Sequence, residues 1–455
     1  MVYSLVAALV VSATLGGLGP LLTAESTDGA ALSTVEPRGR SVAREPPPWE
    51  VEDRLFAHDQ VQFWGFGGDV ALEGDTALVG AGGADVGGET DRGAAYVFVR
   101  EGEEWVEQAQ LLASDGAAGD RFGESVALYA DVAVVGAPFA TIGSQTFRGA
   151  VYVFERNGEA WTETEKLLAS DGAAQDRLGA SVAIDGDTIV AGAVFVDLNG
   201  NQSQGAAYVF TRQDDPWTES DKLFDPEGQL ADLFGNAVAL QGDTALIGAY
   251  SANIEGDPNR GAAYVYRRIG SAWVFEQKLL ASDGGNPDQF GFSVGLDRDA
   301  ALIGAWQKAI EGNVAQGAAY VFRRSGTSWS EEQRLTASDG HERSFFGWAV
   351  ALDGHLGLVG GRHDFPGENE QGVVYEYRYQ EGVWEEIQGL AAPIGHGIDG
   401  FGQSIALTAQ RVLISNPSNV LVQPPGGTAW IFRRPVLFED GFETGDASSW
   451  TQVVQ

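Results

Sequence analysis

The dipeptide Phe-Gly, or a near variant, returns seven times at a fixed step: Phe66-Gly67, Phe122-Gly123, Leu178-Gly179, Phe234-Gly235, Phe290-Gly291, Phe346-Gly347 and Phe401-Gly402. The step from Phe66 to Phe122 is 56 residues; it is repeated up to Phe346 and then shortens to 55 at Phe401. A period this long and this regular requires an array of one supersecondary unit. It overrides the two or three domains that a length of 455 residues would otherwise suggest.

Other landmarks keep the same beat. Gly-Ala follows Phe-Gly at Gly80, Gly136, Gly192, Gly248 and Gly304, with Gly360-Gly361 and Ser415-Asn416 as late variants. A Gly-Ala-Ala-Tyr segment or a relative begins at Gly93, Gly149, Gly205, Gly261, Gly317, Gly372 and Gly427. Trp105, Trp161, Trp217, Trp273, Trp329 and Trp384 then each precede the next Phe-Gly by 17 residues. Between these marks lie four short segments rich in β-branched and aromatic residues, separated by Gly and Asp turns such as Asn157-Gly158. No helical period occurs. The pattern predicts an all-β fold: a seven-bladed β-propeller of four-stranded antiparallel blades.

The ends of the chain predict how the ring closes. The seventh unit lacks the Trp-led strand, because Pro435 and unrelated sequence follow its third segment. An orphan of that strand, Trp49 to Leu55, stands before the first unit at the standard distance from Phe66. The N-terminal strand is therefore expected to complete the last blade, which would leave no broad open edge. The expected organisation is a signal peptide at 1–24, a disordered linker at 25–48, a propeller at 49–434 and a C-terminal tail at 435–455. The blades fall near 66–112, 122–168, 178–224, 234–280, 290–336, 346–391, and 401–434 with 49–56. The uncharged, largely apolar run from Met1 to Ala24 carries the signal-peptide reading, with retention as an anchor the alternative. After cleavage no membrane insertion is expected. The tail from Leu437 through Trp450 breaks the repeat and reads either as a sorting motif or as an appended strand.

A net charge of −36 argues against nucleic acid and against an anionic membrane surface. With no cysteine, thiol and disulfide chemistry are excluded. Five histidines, no metalloprotease motif, no nucleophile elbow and no phosphate loop leave catalysis without a signature, so the chain is expected not to be an enzyme.

The run of Phe-Gly, a Val-Ala-Leu strand and then Gly-Ala resembles the FG-GAP repeat of the integrin α N-terminal propeller, and is most similar to bacterial secreted proteins built of such repeats. The resemblance spans 49–434. It implies a cell-surface or secreted binding or adhesion module, taken here as a monomer with a protein or glycan partner. The calcium loops that integrin-type repeats hold between strands one and two have no counterpart in the short hairpins at Glu73-Gly74-Asp75 or Asp185-Gly186-Asp187, where a tight turn with Asp bonding its own backbone is expected. No cofactor is expected. Should calcium bind between blades, the candidates are Asp115, Asp120, Asp171, Asp176, Asp283 and Asp288, two recurrent carboxylates ahead of Phe-Gly; the competing reading makes them turn caps.

The connections between blades and the loops between strands two and three share one face. The latter loops differ in sequence in every blade, and diversity on a rigid scaffold is where binding specificity resides. Phe139, Phe195, Tyr250, Trp306, Arg362 and His363 on that face are the ligand-binding candidates; packing against neighbouring loops is the other role open to the aromatic ones. Two further functions are kept open: a polysaccharide-acting enzyme with carboxylates near the axis, and a purely structural surface protein.

Overall fold

The computed structural model describes residues 48–58, 65–212, 216–362, 372–393, 400–417 and 427–435. The expected signal segment and nearly all of the linker and tail lie outside them, as does His363. The described residues form seven four-stranded antiparallel sheets, six of them simple meanders. In blade 1 the strands run Phe66–Glu73, Thr76–Ala81, Ala94–Glu101 and Glu104–Leu111, from the axis outward. In blade 7 the strands Ile405–Leu407, Arg411–Asn416 and Thr428–Arg433 are completed by Glu50–Leu55, which pairs antiparallel with Thr428–Arg433. The crossing strand that the orphan Trp49 segment predicts is therefore present.

The repeated dipeptides have one packing cause. Each Gly-Ala glycine lies against the Phe-Gly glycine of the next blade. A Cβ on Gly136 would sit 2.1 Å from the Gly179 carbonyl oxygen, and one on Gly192 would sit 1.9 Å from that of Gly235. Adjacent sheets can approach this closely only if both positions lack side chains, which is why the two motifs recur together. The phenylalanine of each Phe-Gly packs on the third strand of its own blade. Phe122 meets Tyr152 at 5.4 Å and Phe154 at 5.9 Å between ring centroids, both edge to face. Phe290, Tyr320 and Phe322 repeat the arrangement. Burying each such ring contributes about 2–3 kcal/mol. In blades 1 to 6 the second strand is buried along its whole length, as the Val-Ala-Val-Val-Gly-Ala type of sequence requires, whereas an outer strand such as Ala160–Leu167 alternates between exposed and half-buried residues.

Side chains stitch the seams. The outer-strand Glu163 of blade 2 accepts the Ser114 backbone N–H at 2.8 Å and its hydroxyl at 2.9 Å. Glu219 with Ser170, Glu331 with Ser282 and Glu386 with Ser338 repeat the clasp. His58 takes the serine's place toward Glu107. On the hairpin face, the Asp expected to bond its own backbone instead accepts from a third-strand arginine. Asp131 takes Arg156 Nε–H at 2.6 Å, and Asp243 and Asp299 take Arg268 and Arg324 at 2.7 Å. The guanidinium reaches back over the hairpin because the third strand ends beside it.

Candidate ligand-binding face

In blades 1 to 5 the loops between strands two and three vary in sequence but share one backbone. Each closes through a small antiparallel bridge, at Val86↔Glu89, Ile142↔Gln145, Leu198↔Asn201, Ile254↔Asp257 and Ile310↔Asn313. Each has a left-handed residue two before its closing glycine: Asp91, Phe147, Ser203, Asn259 and Ala315. Within these five blades the loops thus differ in their side chains and not in their backbone; most of the loops of blades 6 and 7 lies outside the described residues. A small buried residue pins each loop, at Ala84, Ala140, Val196 and Ala252; blade 5 places Lys308 there.

A second position decorates the same face. The residue just before Phe-Gly has positive φ in all seven blades: Gly65, Arg121, Arg177, Leu233, Gln289, Phe345 and Gly400. The left-handed region costs a non-glycine residue about 1–2 kcal/mol. Five blades hold it there by a backbone bond to the preceding loop, such as Arg177 N–H to the Phe147 carbonyl at 3.1 Å and Phe345 N–H to that of Ala315 at 3.1 Å. The conformation is shared while the side chain is not.

At the axis the innermost segments of all seven blades line a cavity of about 490 Å³. The residue just after each Phe-Gly faces it: Gly68, Glu124, Ala180, Asn236, Phe292, Trp348 and Gln403. Its rim is aromatic over blades 4 to 6. Phe292 lies 5.5 Å from Tyr250, 5.6 Å from Trp306 and 4.8 Å from Trp348. Trp306 also meets Phe345 and Trp348, each at 5.1 Å. Arg362 stacks its guanidinium over Trp348 at 5.1 Å. All of these aromatic side chains are half-buried. Tyr250, Trp306 and Arg362 are thus brought together. Phe139 and Phe195 belong to a separate stack over blades 2 and 3, where Arg177 lies 4.5 Å from each ring.

The cavity also holds two carboxylates, Asp69 and Glu124. Burial pushes both carboxyls above the usual range, and for Glu124 the Asp69 charge adds to the push while Arg121 opposes it. The two are differently committed. Asp69 accepts the Val126 N–H at 2.8 Å and the Ser404 hydroxyl at 2.7 Å, tying blades 7, 1 and 2 together. Among the described residues Glu124 pairs with Arg121 alone, at 3.9 Å.

The carboxylates between blades are engaged by protein donors. Asp115 accepts from Tyr152 Oη at 2.8 Å and Lys166 Nζ at 2.7 Å, and Asp171 accepts from Tyr208 and Lys222. Against the upward push of burial, these partners hold both carboxyls below the ordinary range. Asp120 and Asp176 cap their own turns through the Ala117 and Ala173 N–H groups. In blade 5, Lys308 Nζ lies 2.8 Å from Asp288 and 3.6 Å from Asp283. Among the described residues no group of three or more acidic or histidine side chains gathers as a metal site.

The site residues not singled out from sequence are Arg121, Glu124, Arg177, Phe292, Phe345 and Trp348. Their signal is positional: they flank Phe-Gly, at the one place where the chain meets the axis on the loop side.

A fold of this geometry, built of Phe-Gly and Gly-Ala contacts between blades, defines an FG-GAP type propeller. The FG-GAP repeat model matches residues 49–98, 105–154, 161–210, 217–266, 273–322 and 329–377, more than half of the chain, and the chain belongs to that family. Each matched segment begins at the outer strand of one blade and ends on the third strand of the next, so the six matches straddle six of the seven seams. No curated protein matches the chain.

Proposed function

We propose that this protein is a non-catalytic binding module that takes a glycan or protein ligand on the loop face, with the axial mouth at its centre. The observation that carries the reading is a set of loops, in blades 1 to 5, with one backbone and different side chains, on the face that holds a cavity rimmed by Tyr250, Phe292, Trp306 and Trp348. Aromatic rings that keep a partly exposed face supply large contact area at low entropic cost. A ring of seven sheets holds them in place, so little ordering is left to oppose binding. Secretion or surface display, a monomeric state and independence from calcium belong to the same proposal. An acidic coat suits a protein that stays soluble outside a cell.

The test is a binding screen of the full chain on glycan and protein arrays, repeated with Trp348→Ala and Trp306→Ala. Loss of the leading hits in both variants, at unchanged melting temperature, is expected. Hits that survive both substitutions would move the site away from the mouth.

One observation favours a second reading, a polysaccharide-acting enzyme: the axial cavity holds two carboxyls with raised proton affinity, the pattern that acid–base pairs use. Against it, both oxygens of Asp69 are taken up in joining blades. Release of reducing ends from a polysaccharide panel, abolished by Glu124→Gln, would establish the enzyme and displace the binding reading.

A further inference from the structure

In a chain of net charge −36, arginines are expected to be paired. Arg177 is not. Among the described residues it makes no ion pair and no side-chain hydrogen bond; it lies between the Phe139 and Phe195 rings, 4.5 Å from each. Arg121 takes up the next layer, 5.1 Å from Phe139, and Phe147 braces that ring edge to face at 5.6 Å. The ladder runs Arg121, Phe139, Arg177, Phe195. Burial and the Arg121 charge both press the Arg177 guanidinium toward losing its proton, with Glu124 opposing. A stacked guanidinium keeps its N–H fork free in the plane of the group, prearranged for a carboxylate.

Beside the ladder lies a cavity of about 500 Å³ lined by Arg177, Phe195, Gln175, Gln202 and Ser203. That volume falls in the range of small-ligand sites. Its three aspartates are already bonded. Asp171 holds Lys222 and Tyr208, Asp176 accepts the Ala173 N–H, and Asp197 accepts the Ser203 N–H. What remains for a ligand is one unpaired guanidinium, an aromatic side chain, amides and a hydroxyl.

We propose that this cavity binds a hexuronate unit of an acidic saccharide, with the sugar carboxylate on Arg177 and its hydroxyls on the Gln and Ser side chains. The proposal rests on the binding-face reading above and adds a second subsite to it. An acidic peptide fits less well. Extended peptides dock by adding a strand to an open sheet edge, and tight turns border this cavity. The acidic coat restricts the ligand to sparse charge: repulsion from the rest of the protein is screened within about 8 Å at physiological ionic strength, which admits one carboxylate and opposes a dense polyanion.

The experiment is calorimetric titration of the full chain with hexuronate-terminated oligosaccharides, each paired with its methyl ester, and with an aspartate-rich peptide. The acids should bind about ten- to a hundredfold more tightly than their esters, the scale of a charge-assisted fork. R177Q should erase that difference, and R177K, which keeps the charge but loses the fork, should reduce it, with both variants melting as the parent does. Equal binding of acid and ester, or a preference that survives R177Q, overturns the anion subsite and leaves the axial mouth standing. If no uronate binds, or if only the peptide binds with Arg177 dependence, the saccharide assignment falls. Failure of the Trp348→Ala and Trp306→Ala screen would instead sink the wider reading.

Discussion

The seam between blades 2 and 3 and the seams around the closing strand solve the same packing problem by different means. Between blades 2 and 3 the contacts are small, and the charged groups among them keep some access to solvent: glycine on glycine, the Ser125 hydroxyl on the Gly179 carbonyl at 2.8 Å, the Ser170–Glu219 clasp, the Trp217 N–H on Glu165, and the Arg212–Glu155 ion pair. The chain runs directly from one blade to the next, so their local concentration is already high. Around Glu50–Leu55 the partners come from opposite ends of the chain, and the closure entropy of a very long loop has to be offset. Charge is concentrated there. Where five blades put a fully buried valine after the Tyr of Gly-Ala-Ala-Tyr (Val97, Val153, Val209, Val265, Val321), blade 6 puts Glu376, with no exposure at all. Glu376 accepts Trp49 Nε1–H at 2.9 Å, Gln388 at 2.7 Å, Arg378 at 2.7 Å and Arg434 at 2.6 Å. On the other side, Glu52 holds Arg411 at 2.7 Å and Arg100 at 2.9 Å, and these arginines keep its carboxyl below the ordinary range against the upward push of burial. Closure thus relies on a buried charged knot, whereas the seam between blades 2 and 3 relies on contacts that are repeated around the ring.

The sharpest way to break the contrast is Glu376→Val, which restores the residue of the other blades. It strands Arg434, Arg378 and the Trp49 N–H, and should cost about 3–5 kcal/mol, read as a fall in the urea midpoint at unchanged slope. Adding Arg434→Met should recover part of the loss, since removing both members of a buried pair is far milder than removing one. If Glu376→Val costs no more than a clasp residue does, the distinction between the seams is wrong.

An intermediate effect should come from Asp225 in blade 4. Its carboxylate, 3 % exposed, receives Tyr264 Oη at 2.7 Å and Lys278 at 2.8 Å. Asp225→Ala should cost about 2–3 kcal/mol. Its counterpart Asp115 is largely solvated, and Asp115→Asn should cost about 1 kcal/mol at pH 7. Because the Asp115 carboxyl is held low in the fold, that contribution is complete above the ordinary aspartate range near pH 4. It disappears as pH falls through the lowered value, so parent and variant should converge in acid. Glu163→Ala, breaking one internal clasp, should likewise cost about 1 kcal/mol.

The seam contrast also shows what a sequence can carry. The blade count and the crossing strand follow from the phase of Phe66 and Trp49, because a period is a property of spacing and needs no knowledge of contacts. Glu376 was in plain view as a break in the Tyr-Val-Phe pattern at Tyr375-Glu376-Tyr377, yet its meaning depends on Arg434 and Trp49 lying beside it. Asp225 escapes a search by spacing, since it lies two residues earlier in its segment than Asp171 does and still reaches the equivalent tyrosine. At the ligand face, Tyr250, Trp306 and Arg362 were legible as large groups on variable loops. The left-handed position before Phe-Gly was not, because the Arg, Leu, Gln and Phe that occupy it in blades 2 to 6 carry no propensity for that conformation.

Calcium gives a smaller test on the same seams. Bound at a hundred times its dissociation constant it would add about 2.7 kcal/mol to stability. With lysines already on Asp115, Asp171 and Asp288, neither added calcium nor chelator is expected to move the melting temperature. A clear rise with calcium would assign those carboxylates a different partner.

Among the substitutions the smallest effect should come from Glu124→Gln, and its sign is informative. Burial, with the Asp69 charge beside it, raises the Glu124 carboxyl in the fold, while Arg121 and Arg177 pull it down. A carboxyl raised in the folded state weakens the fold above its own pKa and contributes nothing below the ordinary glutamate range near pH 4.3. Glu124→Gln should therefore melt slightly higher than the parent at pH 7, and the gain should vanish in acid. The same substitution removes the one carboxylate among the described residues that pairs with Arg121. It should tighten binding of a uronate at Arg177, because the nearby negative charge that competes with the ligand is gone. A lower melting temperature at pH 7 would mean that the arginines, not burial, dominate at Glu124, and that the ladder is a closed ion cluster rather than a receptor awaiting an anion.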